Sequence, residues 1–287
     1  MPNQPNSSWT GKTDGTPWMQ KSLIWLVRIL PLWFMYGIMA LVIPFYVIFN
    51  RKGRHASYSF FRNRIGYPAI KSAVSVYANM FNLGMVVLDR FAVYACKKFT
   101  VDTEDAKAFL DLSNDTEGFV ILSCHLGNYE ITGYSLHSKK HMNVLVYAGE
   151  TETVMANRER IFKDSNVSMV PVREDLSHLF ELSSALTRGE IASIPSDRVF
   201  GSTKTVSCTF LGAPAKLPAG PFKLAVSKEA RVITMMCVKT GLRSYRMIAR
   251  QLSAENVNSL AQNFASEVEK VVRQWPHQWY NFYDFWA

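Results

Sequence analysis

Two residues five positions apart carry the strongest suggestion of chemistry in this chain. His125 and Glu130 are joined by Leu126, Gly127, Asn128 and Tyr129. A histidine titrates near neutral pH. A carboxylate on one of its ring nitrogens fixes the tautomer and raises basicity, leaving the other nitrogen free to take a proton from a substrate. Phe119 to Ser123 is a short, almost wholly apolar run that reads as a buried strand. Gly127-Asn128 then reads as a turn, with Asn128 a helix N-cap before Tyr129. A buried strand running into a loop and a helix is where α/β folds place ligands and chemistry. The spacing puts His125 at the strand's carboxyl end and Glu130 on the first turn of the next helix, where the carboxylate can fold back onto the imidazole. The competing reading is an interior histidine beside a carboxylate favoured by the helix dipole.

A second constellation is Ile194-Pro195-Ser196-Asp197-Arg198-Val199-Phe200-Gly201, another buried strand that ends in a charged turn. It reads either as a polar clamp for a phosphate or headgroup at the same sheet edge as His125, or as a self-satisfied loop ion pair. Arg158 and Arg160 could hold an anionic group, although a solvated helix face explains them as well. Thr209 to Pro214 and Leu217 to Phe222, which includes Gly220, read as two Gly/Pro turns joined by a short link. They suit a loop rimming a groove for an apolar chain, or a structural pair of turns. Ser123 and Cys124 precede His125 without a nucleophile-elbow pattern, so a covalent intermediate is the lesser reading. Cys96, Cys124, Cys208 and Cys237 form no Cys-x-x-Cys pair and read as reduced, buried thiols in a cytosol-facing domain. No ligand pair has metal-site spacing, so no metal is expected.

The elements that must position these residues can be read in part. With 287 residues, one large α/β domain plus an accessory segment fits. The net charge of +9 fits nucleic acid, an anionic membrane or an acidic substrate. No nucleic-acid signature is present, which leaves the membrane favoured. Residues 1–17 are polar and read as a flexible start, 18–54 as a membrane anchor, and 55–287 as the catalytic domain. From Ile29 to Phe49 no residue is charged, just over the ~20 residues that cross a ~30 Å hydrocarbon core. Arg51-Lys52-Gly53-Arg54 follows at once. Tyr58 to Lys98 looks helical. Strands are expected near Asn143–Tyr147, Ser168–Val172, Glu190–Pro195, Val206–Phe210, Val232–Val238 and Tyr245–Ala249. Helices are expected near Glu152–Lys163, Leu176–Arg188, Phe222–Lys228 and Val257–Gln274. This alternation predicts a mixed, largely parallel sheet covered by helices. The aromatic run from Trp275 to Trp286 must pack on the domain or dip into an interface.

Taken together, these residues resemble the late acyltransferases of lipid A biosynthesis, the lauroyl/myristoyl-transferase branch of the lysophospholipid acyltransferase superfamily. The likeness covers most of the chain. It rests on the N-terminal apolar helix, on His125-Leu-Gly-Asn-Tyr-Glu130, on Asp197 after a strand, on Phe210-Leu211-Gly212-x-Pro214-Ala215 with Gly220-Pro221, and on the final Trp275-Pro276-x-Gln278-Trp279. The resemblance implies that His125 deprotonates an acceptor hydroxyl, with Glu130 as its orienting partner. The hydroxyl would then attack a thioester of acyl carrier protein or coenzyme A, a co-substrate, with no cofactor needed. Asp197 would support the acceptor or the active-site loop, and Arg158 or Arg160 would hold an anionic group. Asn128, Arg198 and Gly220 complete the expected substrate site. The resemblance also implies an inner-membrane enzyme with a membrane lipid as acceptor, and the length of chain after the apolar segment, the cysteines and the Arg51–Arg54 cluster favour a catalytic domain facing the cytoplasm. Arg198 stands where the lipid A enzymes usually carry Gln or His, and His277 replaces the usual Glu, which points to a divergent member. A membrane-bound thioesterase and a lipid-binding scaffold are the alternatives.

Overall fold

The computed structural model describes residues 16–135, 138–146, 166–173, 175, 177–199, 204–253 and 255–286. The strands are β1 (Thr100–Asp102), β2 (Phe119–Gly127), β3 (Met142–Val146), β4 (Val167–Pro171), β5 (Ile191–Pro195), β6 (Thr205–Phe210), β7 (Ala213–Pro218), β8 (Arg231–Lys239) and β9 (Ser244–Leu252). Seven of them form one sheet in the order β1-β9-β8-β2-β5-β3-β4. From β8 to β4 every neighbouring pair is parallel, and only β9 with β1 beside it runs the other way. The expected mixed, largely parallel sheet is therefore what forms.

β2 lies inside the parallel block, and its apolar run is explained by burial on both faces. Val120 and Leu122 enter a cluster with Phe222, Leu260 and Phe264, while Phe119 and Ile121 join Phe109, Ile233 and Met247 on the opposite face. The covering helices include α5 (Lys107–Ser113), α6 (Tyr129–Ser135), α7 (Ser177–Thr187), α8 (Ala219–Ser227) and α9 (Val257–Gln274). Asn256 and Ser259 start α9 with a reciprocal capping box.

Two expectations change. The link between the Gly/Pro turns is a strand: β6 and β7 form an antiparallel hairpin around Leu211-Gly212. Both turn residues have positive φ, 50° and 75°, the backbone a two-residue hairpin of this hand requires. The segment expected to be one anchor helix, residues 18–54, is divided. Helices α1 (Pro17–Ile29) and α2 (Leu32–Phe49) are separated at Leu30-Pro31, because Pro31 has no N–H to continue the helix and biases Leu30 to extended backbone.

α2 alone is long and apolar enough to cross a membrane among the described residues. One face, with Met35, Tyr36 and Ile43, packs on α4 (Ala69–Tyr94), which follows α3 (Arg51–Ser59) and a π-helical turn at Phe60–Arg64. The other face leaves Trp33, Leu41, Phe45 and Phe49 exposed. A patch of this kind marks a protein or membrane contact. Asp89 of α4 ties this layer to the sheet. Fully buried, it accepts hydrogen bonds from the hydroxyls of Tyr36 and Tyr245 and, at 2.6 Å, from Lys239 Nζ.

Candidate active site

β2 and β5 pair in parallel with Leu122 opposite Ile194 and Ser123 opposite Pro195. The Ser196 N–H continues the pairing to Ser123 O at 2.8 Å. This register brings the residue two past the end of β5 level with the residue two past Ser123. Asp197 and His125 meet there. Asp197 Oδ1 lies 2.8 Å from His125 Nδ1, and Asp197 Oδ2 accepts the His125 backbone N–H at 2.9 Å. One carboxylate thus fixes both the ring and the main chain of the histidine. Asp197 is buried, whereas the His125 side chain keeps 22% of its exposure. An ionised carboxylate only accepts, so the Nδ1 position carries the ring proton and Nε2 presents its lone pair.

Burial, followed by the Arg198 charge, pushes the His125 pKa below its ordinary 6.5 against the opposing pull of Asp197 and Glu130. Burial alone would raise Asp197, but the charge and hydrogen bonds of His125, aided by Arg198, hold it below the usual carboxylate range. The resting pair is a neutral imidazole on an ionised carboxylate. That is the protonation state of a general base.

Glu130 does not take the place expected for it on the imidazole. It sits at the start of α6, and its Oε1 lies 3.2 Å from Arg90 Nη1 on α4. The turn explains the divergence. Gly127 has φ +66° and crosses β8 so closely that a Cβ there would lie 1.9 Å from Cys237 O. The Asn128 N–H then donates to the same carbonyl at 2.7 Å. After this crossing the helix carries Glu130 to α4, while Asp197 already occupies Nδ1. Gly127→Ala is expected to cost roughly 2–3 kcal/mol, a fall in Tm of about 5–10 °C by thermal unfolding, since no other residue fits both the dihedral and the space.

Asn128 is the helix N-cap that the sequence suggested. Its side-chain oxygen accepts the Ile131 N–H at 3.3 Å, and its amide donates to Tyr245 Oη at 3.3 Å. Buried with its amide engaged inside the protein, it positions the turn. Asp197 and Arg198 are not the self-satisfied loop pair. Arg198 donates to Tyr280 O at 2.8 Å, and its guanidinium lies 5.9 Å from the Tyr283 ring centroid. Gly220 stands in the first turn of α8, where a Cβ would meet nothing within 4 Å, so no close approach demands glycine there. Arg158 and Arg160 lie outside the described residues, as does the helix expected over Glu152–Lys163.

The chain's end contributes a partner that the sequence did not reveal. Leu126 pairs with Trp279 in an isolated antiparallel bridge, and Tyr280 N donates to His125 O at 3.0 Å. Trp279 is buried against Phe60, Phe210 and Phe285. The aromatic run therefore packs on the domain, as the first of its two readings required. Cys124, Cys208 and Cys237 are buried free thiols and Cys96 is exposed.

A family model described as bacterial lipid A biosynthesis acyltransferase matches residues 18–287. No curated protein matches the chain.

Proposed function

Because the chain belongs to the bacterial lipid A biosynthesis acyltransferase family, and so moves an acyl group onto a lipid acceptor, we propose that it does so from a thioester, with His125 as general base and Asp197 as its orienting carboxylate. The single observation that supports this most is the 2.8 Å contact between His125 Nδ1 and Asp197 Oδ1, which leaves Nε2 available. A lipid hydroxyl at Nε2 gives up its proton as its oxygen attacks the thioester carbonyl. The tetrahedral centre then collapses with loss of the thiolate of acyl carrier protein or coenzyme A, which takes the proton from the His125 imidazolium and leaves as the thiol. A thioester is already activated, so a base and alignment are what the protein must supply.

Direct transfer is favoured over an acyl-enzyme. Cys124 is buried, and its thiol is pushed well above the ordinary range by burial and then by the Asp197 charge, while Ser123 is buried too. Glu130 supports the same site indirectly: held by Arg90, it adds negative field that favours the imidazolium formed during the reaction. Arg198 stays a candidate for the anionic part of a substrate, and so do Arg158 and Arg160. The exposed apolar face of α2 suits an anchor in the inner membrane with the sheet on the cytoplasmic side.

The test is to incubate the detergent-solubilised protein with acyl-loaded carrier protein or acyl coenzyme A and a bacterial lipid extract, following products by mass spectrometry. A new acylated lipid supports the transferase. Loss of thioester with release of free fatty acid and no lipid product would replace it with a thioesterase.

The pH profile supplies a separate check. The base works only when neutral, and its pKa is displaced downward from 6.5. Activity is expected to be lost as pH falls through a midpoint below 6.5, with a level region above it. Arg198→Gln removes a charge that disfavours the imidazolium and should move that limb to higher pH.

A further inference from the structure

His125 stands at a break in its own strand. The β5 ladder closes at Ser123, and the register of β2 with β8 shifts between Ser123 and Gly127. Other groups fix the main chain there: Asp197 Oδ2 takes the His125 N–H, and the His125 carbonyl accepts the Tyr280 N–H at 3.0 Å. Tyr280 belongs to a short C-terminal segment that leaves α9 at Trp275 and makes one 3₁₀ turn over Pro276–Gln278. A single turn of this kind does not hold its own shape in water. Two buried amide side chains hold it. Asn79 of α4 donates from Nδ2 to His277 O and to Trp279 O, each at 3.0 Å, while its Oδ1 accepts the Ser57 hydroxyl at 3.2 Å. Gln278 clamps the end of β8. Its Oε1 accepts the Lys239 N–H and its Nε2 donates to Lys239 O, both at 2.8 Å. Tyr280 O in turn accepts Arg198 Nη2 at 2.8 Å, so the residue after Asp197 is gripped as well.

We propose that Gln278 and Asn79 are positioning residues for the transfer reaction, aiming the His125 ring through the C-terminal segment and its Tyr280 N–H. Both are buried and spend their hydrogen bonds on protein groups, so neither is built to touch a substrate. Their contacts join α4, β8 and the end of the chain, and all of them bear on one carbonyl. Asp197 holds the peptide before His125 and the segment holds the peptide after it, which gives Nε2 one direction. Freeing the second side lets that peptide turn, and a misplacement of about 1 Å at a reacting group costs about 10²-fold in rate. The inference rests on the reading of His125 as the base.

The test is lipid acylation by the full-length protein in detergent, with melting curves to establish that each variant is folded. Gln278→Met keeps the length of the side chain and loses both bonds to Lys239. It should lower kcat by about 10–100-fold and leave KM for donor and acceptor within about twofold. Asn79→Ala frees the same segment from the α4 side. It should give the same split, and it carries the test if Gln278→Met does not fold. Gln262 supplies the control, because it grips the main chain of exposed Thr209 in the same way, accepting from N at 2.8 Å and donating to O at 3.0 Å. Gln262→Met should keep kcat within about twofold of wild type. A role exerted through His125 must also vanish with it, so adding Gln278→Met to His125→Ala should cost nothing further. An equal loss in both backgrounds would overturn the positioning role, as would a rise in KM at constant kcat. Wild-type kcat in folded Gln278→Met and Asn79→Ala would overturn it too, and with His125→Ala inactive the base reading would stand. If His125→Ala itself transfers at the wild-type rate, the base reading fails and the positioning role fails with it.

Discussion

His125→Ala is expected to lower acyl transfer by about 10²–10⁴-fold, the range lost when a positioned general base is removed. Among the described residues the Nε2 lone pair is the group proposed to accept the hydroxyl proton, and alanine leaves a lipid alcohol to be deprotonated by water. The fold should persist. The backbone N–H of residue 125 still donates to Asp197 Oδ2, and the carbonyl still accepts from Tyr280. What changes structurally is that a buried carboxylate loses its imidazole, which should lower Tm by a few degrees while leaving a cooperative transition. His125→Gln, which retains polarity without a usable base, should be as inactive and closer to wild type in Tm. Initial rates of lipid acylation, measured beside thermal unfolding, separate the two effects. A folded His125→Ala protein retaining more than about a tenth of wild-type transfer would remove His125 from the chemistry.

Much of the site's placement is legible in the chain because β2 is buried on both faces. Phe119 to Ser123 therefore reads as a continuous apolar run, and the Gly-Asn turn after it marks where the strand stops. His125 follows from that position, and so does Asn128 as a cap. The partner of His125 does not follow. Asp197 is 72 residues away, and only the β2–β5 register brings it level. Glu130 is five residues away, and local spacing allows two outcomes, which the backbone at Gly127 and Arg90 on another helix decide between. The hairpin strand β7 was hidden for a different reason. Pro214 and Pro218 read as turn residues, yet they pair opposite Thr209 and Thr205 in a two-stranded ribbon, where prolines without a ladder partner are tolerated. The contact of Trp279 with Leu126 could not be read from composition. An aromatic-rich terminus signals that it must be covered, but not by what.

The sharpest consequence is a reversal of rank between the two carboxylates. Asp197→Asn is expected to lower transfer by about 10²–10⁴-fold, comparable to loss of the base, because an amide at this position can hold the wrong tautomer. Asn offers a donor as well as an acceptor. If its NH₂ faces Nδ1, the ring proton moves to Nε2 and the lone pair needed for the hydroxyl is gone. The ionised Asp197 also stabilises the imidazolium, so its removal should carry the acid limb of the profile further down, opposite to the shift in Arg198→Gln. Glu130→Gln keeps a side chain that can accept from Arg90 and leaves the Nδ1 contact intact, so a loss of roughly tenfold or less is expected, from the weakened field on His125. Measuring kcat/KM across pH for the two variants decides the matter. If Glu130→Gln were the more damaged, with Asp197→Asn active and its limb unmoved, Glu130 would be the orienting partner during turnover and α6 would have to turn toward the imidazole when substrate binds. If Asp197→Asn loses both rate and limb position, the partner of the base comes from the neighbouring strand rather than from the motif that contains it.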